Sequence, residues 1–166
     1  MKNYIRYFLG LITISQLFYS CNPHLDCNFS ECSVVAPSSE IQVVQNYLTS
    51  SGLTATQHCS GLFYRIENGG SGSAPNSCAN VGVTYKVYFF NGTLLEQQTN
   101  TVGFSLGLLV RAWRIALPLI KTGGRIVFYV SPTLGYGSQD VKDQNGMIVI
   151  PANSYLVFEV DLVSLQ

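Results

Sequence analysis

The residues of this chain that could do chemistry are few, and the cysteines come first. There are five, with two histidines, in 166 residues. Cys21 directly follows Ser20 at the end of MKNYIRYFLGLITISQLFYSC. Lys2 and Arg6 give this stretch a positive front, and Phe8 to Phe18 give it a short apolar run. That run falls short of the roughly 20 residues of a membrane span, so the stretch reads as a signal segment. Cleavage before Cys21 would leave a lipidated N-terminal cysteine, as in bacterial lipoproteins. Phe18 and Tyr19 depart from the usual residues of that junction, and a secreted chain or an uncleaved anchor are the alternatives. Cys27, Cys32, Cys59 and Cys78 then remain. An even number in an exported chain favours disulfides over free thiols. Four cysteines allow three connectivities, and Cys27–Cys32 with Cys59–Cys78 joins the nearest in sequence. His24 and His58 lie close by, but no ligand spacing of the zinc type is present, so no metal is expected.

Other reactive patterns are missing. The chain carries 9 basic and 9 acidic residues. Without Lys2 and Arg6 it holds 7 against 9, a net charge of −2. No basic stripe forms, which removes support for nucleic-acid binding. Low charge and ten tyrosines give a rather apolar surface, compatible with binding unfolded chains. Taken singly, Trp113, Tyr85 and Phe158 are core side chains and Glu96 is a surface carboxylate. Tyr136, flanked by glycines in LGYG, is harder to explain by packing.

The elements that must position these residues follow from periodicity and turn chemistry. Residues 1–20 are the signal peptide and 21–37 a tether with one small disulfide loop. Residues 38–58 form a helical extension. Ser38 or Ser39 caps a helix from about Glu40, with Ile41, Val44, Tyr47 and Leu48 on one face and Gly52 at its end. Residues 59–166 form the main domain. GLFYRIE is a strand and NGGSGSAPN a turn. VGVTYKVYFF alternates, with Val83, Tyr85, Val87 and Phe89 on one face, and Asn91-Gly92 turns the chain. A helix is expected from roughly Leu109 to Ile120, shortened or bent by Pro118. RIVFYVS and YLVFEVDLVSL are strands around the long loop that holds LGYG. The fold class is α+β, a twisted antiparallel sheet (a half-barrel) wrapped around one short helix, with the N-terminal accessory helix outside it.

In order, LLVRAW, the GG turn, LGYG, IPAN and LVFEVDL resemble the FKBP-type peptidyl-prolyl cis-trans isomerases over about Gly61 to Gln166. The resemblance implies an apolar pocket with Trp113 as its floor and Tyr136 at its rim. Tyr85, Leu95, Glu96, Trp113, Tyr136 and Phe158 fall at the family's catalytic positions. Val102, Leu109, Val110 and Ile150 fall at its substrate-binding positions, and the Val110 N–H would hold a substrate carbonyl. Where family members commonly read xxFDSS, this chain reads TLLEQQ, so Leu95 and Glu96 stand in place of a phenylalanine and an aspartate.

The implied chemistry needs no cofactor. Rotation about X–Pro is slow because amide conjugation raises a barrier of roughly 18–20 kcal/mol. The twisted amide has lost conjugation and charge separation, so a dry apolar pocket favours it over the planar form. The expected partners are proline-containing unfolded or partly folded polypeptides, with the membrane reached through the N-terminal lipid in the cell envelope. A non-catalytic peptide-binding chaperone of the same fold is the alternative.

Overall fold

The computed structural model describes residues 27–165; the signal segment and Cys21 lie outside them. Six strands form one antiparallel sheet: β1 (Thr56–Gln57), β2 (Phe63–Asn68), β3 (Asn80–Phe89), β4 (Leu94–Ser105), β5 (Arg125–Val130) and β8 (Leu156–Leu165). Their spatial order is β1-β2-β5-β8-β3-β4. A separate hairpin joins β6 (Val141–Lys142) to β7 (Ile148–Ile150). Two α-helices lie on opposite faces: α1 (Ser38–Ser50) and α2 (Arg111–Ala116).

The two-faced cover explains the strand compositions. Residues 126 to 130 of β5 are all buried, an unbroken apolar run rather than an alternation. Ile126, Phe128 and Val130 share one core with Trp113, Ile115 and Ala116 of α2. Val127 and Tyr129 face the other way, onto Val44 and Leu48 of α1. Beyond the reach of α1 the outer face turns charged. There Arg125 binds Glu67, Glu159 and Asp161 at 2.7–2.9 Å.

Helix α1 follows the expected face: Val44 and Leu48 are buried, while Ile41 and Tyr47 are half-buried at the edge of that core. Its start differs from expectation. Pro37 occupies the capping position, and no side chain caps the helix. Proline's fixed φ suits that entry. Glu40, expected only as an early helical residue, accepts from the Thr133 N–H and hydroxyl at 3.0 and 2.8 Å, which ties α1 to the turn after β5. Gly52 ends the helix at φ 65°, with the Leu53 N–H donating to the Leu48 carbonyl.

Helix α2 is shorter than the sequence pattern predicts. Leu109 and Val110 are extended, and the helix spans six residues before a 3₁₀ turn at Leu117–Leu119. Pro118 sits inside that turn and has no N–H to continue the α-helical ladder. The segment between the NG turn and α2 is the long edge strand β4. Its middle is polar and exposed on both faces, so alternation gives no sign of it.

The cysteines pair differently from the sequence expectation. Cys27 bonds Cys78, and Cys32 bonds Cys59, with Cα separations of 5.5 and 5.7 Å. Nearness in sequence was the wrong guide, because residues 27–36 run across the body of the domain. The Ala36 N–H donates to the Ser60 carbonyl at 2.9 Å, and Ala36 itself is buried. Phe29 lies under two guanidinium groups, Arg111 at 4.8 Å and Arg114 at 4.1 Å. Within the described part of the expected tether, the arm is therefore fastened to the domain rather than closed on itself.

Candidate active site

The concave face of the sheet and α2 enclose a cavity of about 560 Å³. This size is ordinary for a small-molecule or side-chain site. Trp113 is 4% exposed and forms its base. Four rings meet the indole edge-on: Tyr85 and Phe158 at 5.7 Å, Phe128 at 5.9 Å and Phe104 at 6.0 Å. Edge-to-face contacts of this kind fix ring orientation as well as bury area. Phe158 comes from the central strand β8, directly opposite Phe128 of β5 and Val87 of β3. It stacks on Phe128 at 5.1 Å. The Trp113 floor is thus held by strands from the middle of the sheet.

The polar groups stand on one side. The Tyr85 hydroxyl donates to Glu96 Oε1 at 2.6 Å. Burial, reinforced by this bond and by the Glu96 charge, pushes the Tyr85 phenol well above its ordinary range. Tyr136 borders the cavity from the loop after β5, with 40% of its surface exposed. Partial desolvation and, secondarily, the Glu96 charge also raise its pKa. Both phenols therefore remain neutral hydrogen-bond donors at physiological pH.

Leu95 and Glu96 both border the cavity although they are adjacent in β4. In a regular strand they would point to opposite faces. The β3–β4 register shifts between Val87, opposite Glu96, and Tyr88, opposite Leu94. Leu95 is the extra residue, and this bulge lets both side chains turn inward.

Of the ten residues expected at the site, eight border the cavity: Tyr85, Leu95, Glu96, Leu109, Trp113, Tyr136, Ile150 and Phe158. Val102 and Val110 do not; both are half-buried against the edge of the same core. Phe104, two residues beyond Val102 on β4, borders the cavity in its place and gives that side an aromatic wall. Val110 immediately precedes α2, and its carbonyl accepts from the Trp113 N–H at 3.1 Å. Sequence reasoning missed Val87, Phe104 and Val149 as cavity residues. Val87 was legible, since it alternates with Tyr85. Phe104 required the course of β4, and Val149 required the β6–β7 hairpin to be folded against the rim.

With this geometry in hand, the comparisons with known proteins agree. The model of the FKBP-type peptidyl-prolyl cis-trans isomerase family matches residues 72–163. The chain belongs to that family. Among curated relatives, it is 35% identical over 110 residues to a probable FKBP-type peptidyl-prolyl cis-trans isomerase of Haemophilus influenzae, covering 64% of this chain and 44% of the relative. It is 32% identical over 125 residues to the FKBP-type isomerase FkpA of Buchnera aphidicola, covering 74% of this chain and 48% of that one. The chain thus spans less than half the length of these relatives. The crystal structure of FkpA from Escherichia coli superposes with a TM-score of 0.65 at 27% identity, over 78% of this chain and 60% of that one.

Proposed function

We propose that this protein is a peptidyl-prolyl cis-trans isomerase acting on proline-containing, unfolded or partly folded polypeptides. The observation that carries the reading is the cavity itself: an apolar basin floored by Trp113, with neutral phenols at its edge. A prolyl ring set against Trp113 would leave its amide among Tyr85, Phe158 and Ile150, away from water. The planar amide is the more polar form, so losing water disfavours it relative to the twisted amide. Tyr136 would donate to a peptide carbonyl, and the N–H of Val110, whose side chain lies outside the cavity but whose backbone follows the cavity-lining Leu109, would hold the carbonyl beside the proline. Glu96 would keep the Tyr85 hydroxyl oriented. No residue need form a covalent bond, and no cofactor is required.

The layout and location belong to the same proposal. A signal peptide over residues 1–20 is removed, Cys21 carries the lipid, and a short segment links it to the arm and α1, followed by the isomerase domain. Export to the cell envelope fits a domain fastened by two disulfides. A second reading, a peptide-binding chaperone with slow turnover, draws on Leu95, an aliphatic wall where the family pattern has a flat ring. A protease-coupled prolyl-peptide assay on protein starting after Cys21 separates the two. Fast isomerisation abolished by Trp113→Ala supports the enzyme. Peptide binding without acceleration supports the chaperone.

A further inference from the structure

We infer that Cys32, Cys59 and His58 form a second site, which binds Zn²⁺ and is opened by reduction of the Cys32–Cys59 disulfide. The ligand atoms of these three residues all lie within 4.8 Å of one another. The sequence hides the set, because Cys32 comes from the arm whereas His58 and Cys59 precede β2. Two thiolates and an imidazole are the donor set of many zinc sites.

The histidine lies beside the two cysteines, with both ring nitrogens engaged. The Ser60 N–H points to His58 Nδ1 at 3.3 Å, and the Ser60 hydroxyl lies 3.0 Å from the same nitrogen. Nδ1 is thereby the acceptor nitrogen, and the proton lies on Nε2, which donates to Glu31 Oε2 at 3.2 Å. A metal at Nδ1 would take the place of the Ser60 donors there, and a carboxylate on the other ring nitrogen, as Glu31 is here, is a common partner of a metal-bound imidazole. Cys59 Sγ lies 3.6 Å from Nδ1 and 3.7 Å from Nε2, so the ring must turn for Nδ1 to meet a metal held by the sulfurs. Both cysteines are exposed, so a reductant and an ion can reach them. The arm would remain in place after reduction, because Ala36 is bonded to Ser60 and Phe29 lies under Arg111 and Arg114. The Cα separation of 5.7 Å lets two sulfurs spread to the ~3.8 Å that tetrahedral Zn–S bonds of about 2.3 Å require.

The chemistry balances with a dithiol as reductant. It delivers two electrons and two protons to the disulfide, giving two thiols, and itself becomes a disulfide. Zn²⁺ then displaces the two thiol protons, binds both sulfurs and Nδ1, and keeps water in its fourth position. Bound metal would protect the pair from reoxidation. This site is separate from the isomerase cavity and does not depend on its activity.

The test is metal binding by the full chain, oxidised or reduced with a dithiol that is then removed without air. Zn²⁺ affinity is read by competition with a chromogenic chelator, and Co²⁺ absorption reports tetrahedral thiolate ligation. The expected result is one equivalent bound by the reduced chain, and none at chelator-competitive affinity by the oxidised one. His58→Ala and the Cys32→Ser/Cys59→Ser pair should each weaken binding at least about 100-fold, and Glu31→Gln about 10–100-fold. The Cys27→Ser/Cys78→Ser pair should retain it. Binding by the reduced chain no tighter than by Cys32→Ser/Cys59→Ser, or unchanged in His58→Ala, overturns the inference. Should reduction unfold the chain, refolding by Zn²⁺ in wild type but not in His58→Ala supports it, and equal behaviour of the two refutes it.

Discussion

Trp113 has no acid or base to offer; its value lies in shape, polarity and rigidity. Replacing it with alanine removes a buried ring that four other rings contact. The folded domain should lose about 3–5 kcal/mol in denaturant unfolding, and the proposed isomerase activity should nearly vanish with it. Leu95→Phe is a sharper probe because it adds to the site. It should raise the isomerisation rate several-fold if the ring meets the twisted amide better than the planar one. An unchanged rate in a folded variant would mean that leucine suits the native substrates. Glu96 is less free to change than its exposure implies. Shortening it to aspartate draws the carboxylate away from the Tyr85 hydroxyl, now at 2.6 Å. Tyr85→Phe deletes that bond while keeping the ring. It should cost about 1 kcal/mol of stability, a modest figure because Glu96 stays solvated. Its larger effect should be on kcat.

At the scale of elements, legibility followed packing. The strands at residues 80–89 and 156–165 announce themselves, because each packs against α2 on the inner face through regularly spaced apolar residues. The edge strand β4 does not, since its central residues touch solvent on both sides. The cavity floor at Trp113 and the rim at Tyr136 came from local motifs. Phe104 and the inward turn of both Leu95 and Glu96 depend on strand register and a bulge, which are relations between distant segments. The disulfides were misread for the same reason: their partners are set by where the arm crosses the domain. That arm also lies against α2 through Phe29 and Arg111, whose guanidinium donates to the Ser30 carbonyl at 3.1 Å and Ser33 Oγ at 2.9 Å. Removing the Cys27–Cys78 link frees a loop with a sequence separation of 51. The chain-entropy relation gives a loss of about 4 kcal/mol, less if the inner Cys32–Cys59 link still restrains the unfolded chain. Denaturant unfolding of Cys27→Ser/Cys78→Ser against wild type measures it.

For the molecule as a whole, titration gives an independent check on the cavity. Tyr85 and Tyr136 have folded-state pKa values raised above the ordinary 10.0. Above that pH the unfolded chain has lost these protons while the folded chain keeps them. Unfolding then releases protons, so stability must fall as pH rises. Their contribution should be complete below about pH 10 and lost above it, with Tyr85→Phe flattening the alkaline limb. Thermal unfolding from pH 7 to 11 would show it. The proposed function requires that the Trp113 basin lower the barrier to prolyl rotation. Exchange NMR on a short prolyl peptide at equilibrium, with catalytic amounts of protein starting after Cys21, reads that rotation without a coupled protease. Wild type should accelerate cis–trans exchange in proportion to its concentration, and folded Trp113→Ala should not. Equal acceleration by the two proteins, or none by wild type with peptide bound, would contradict it.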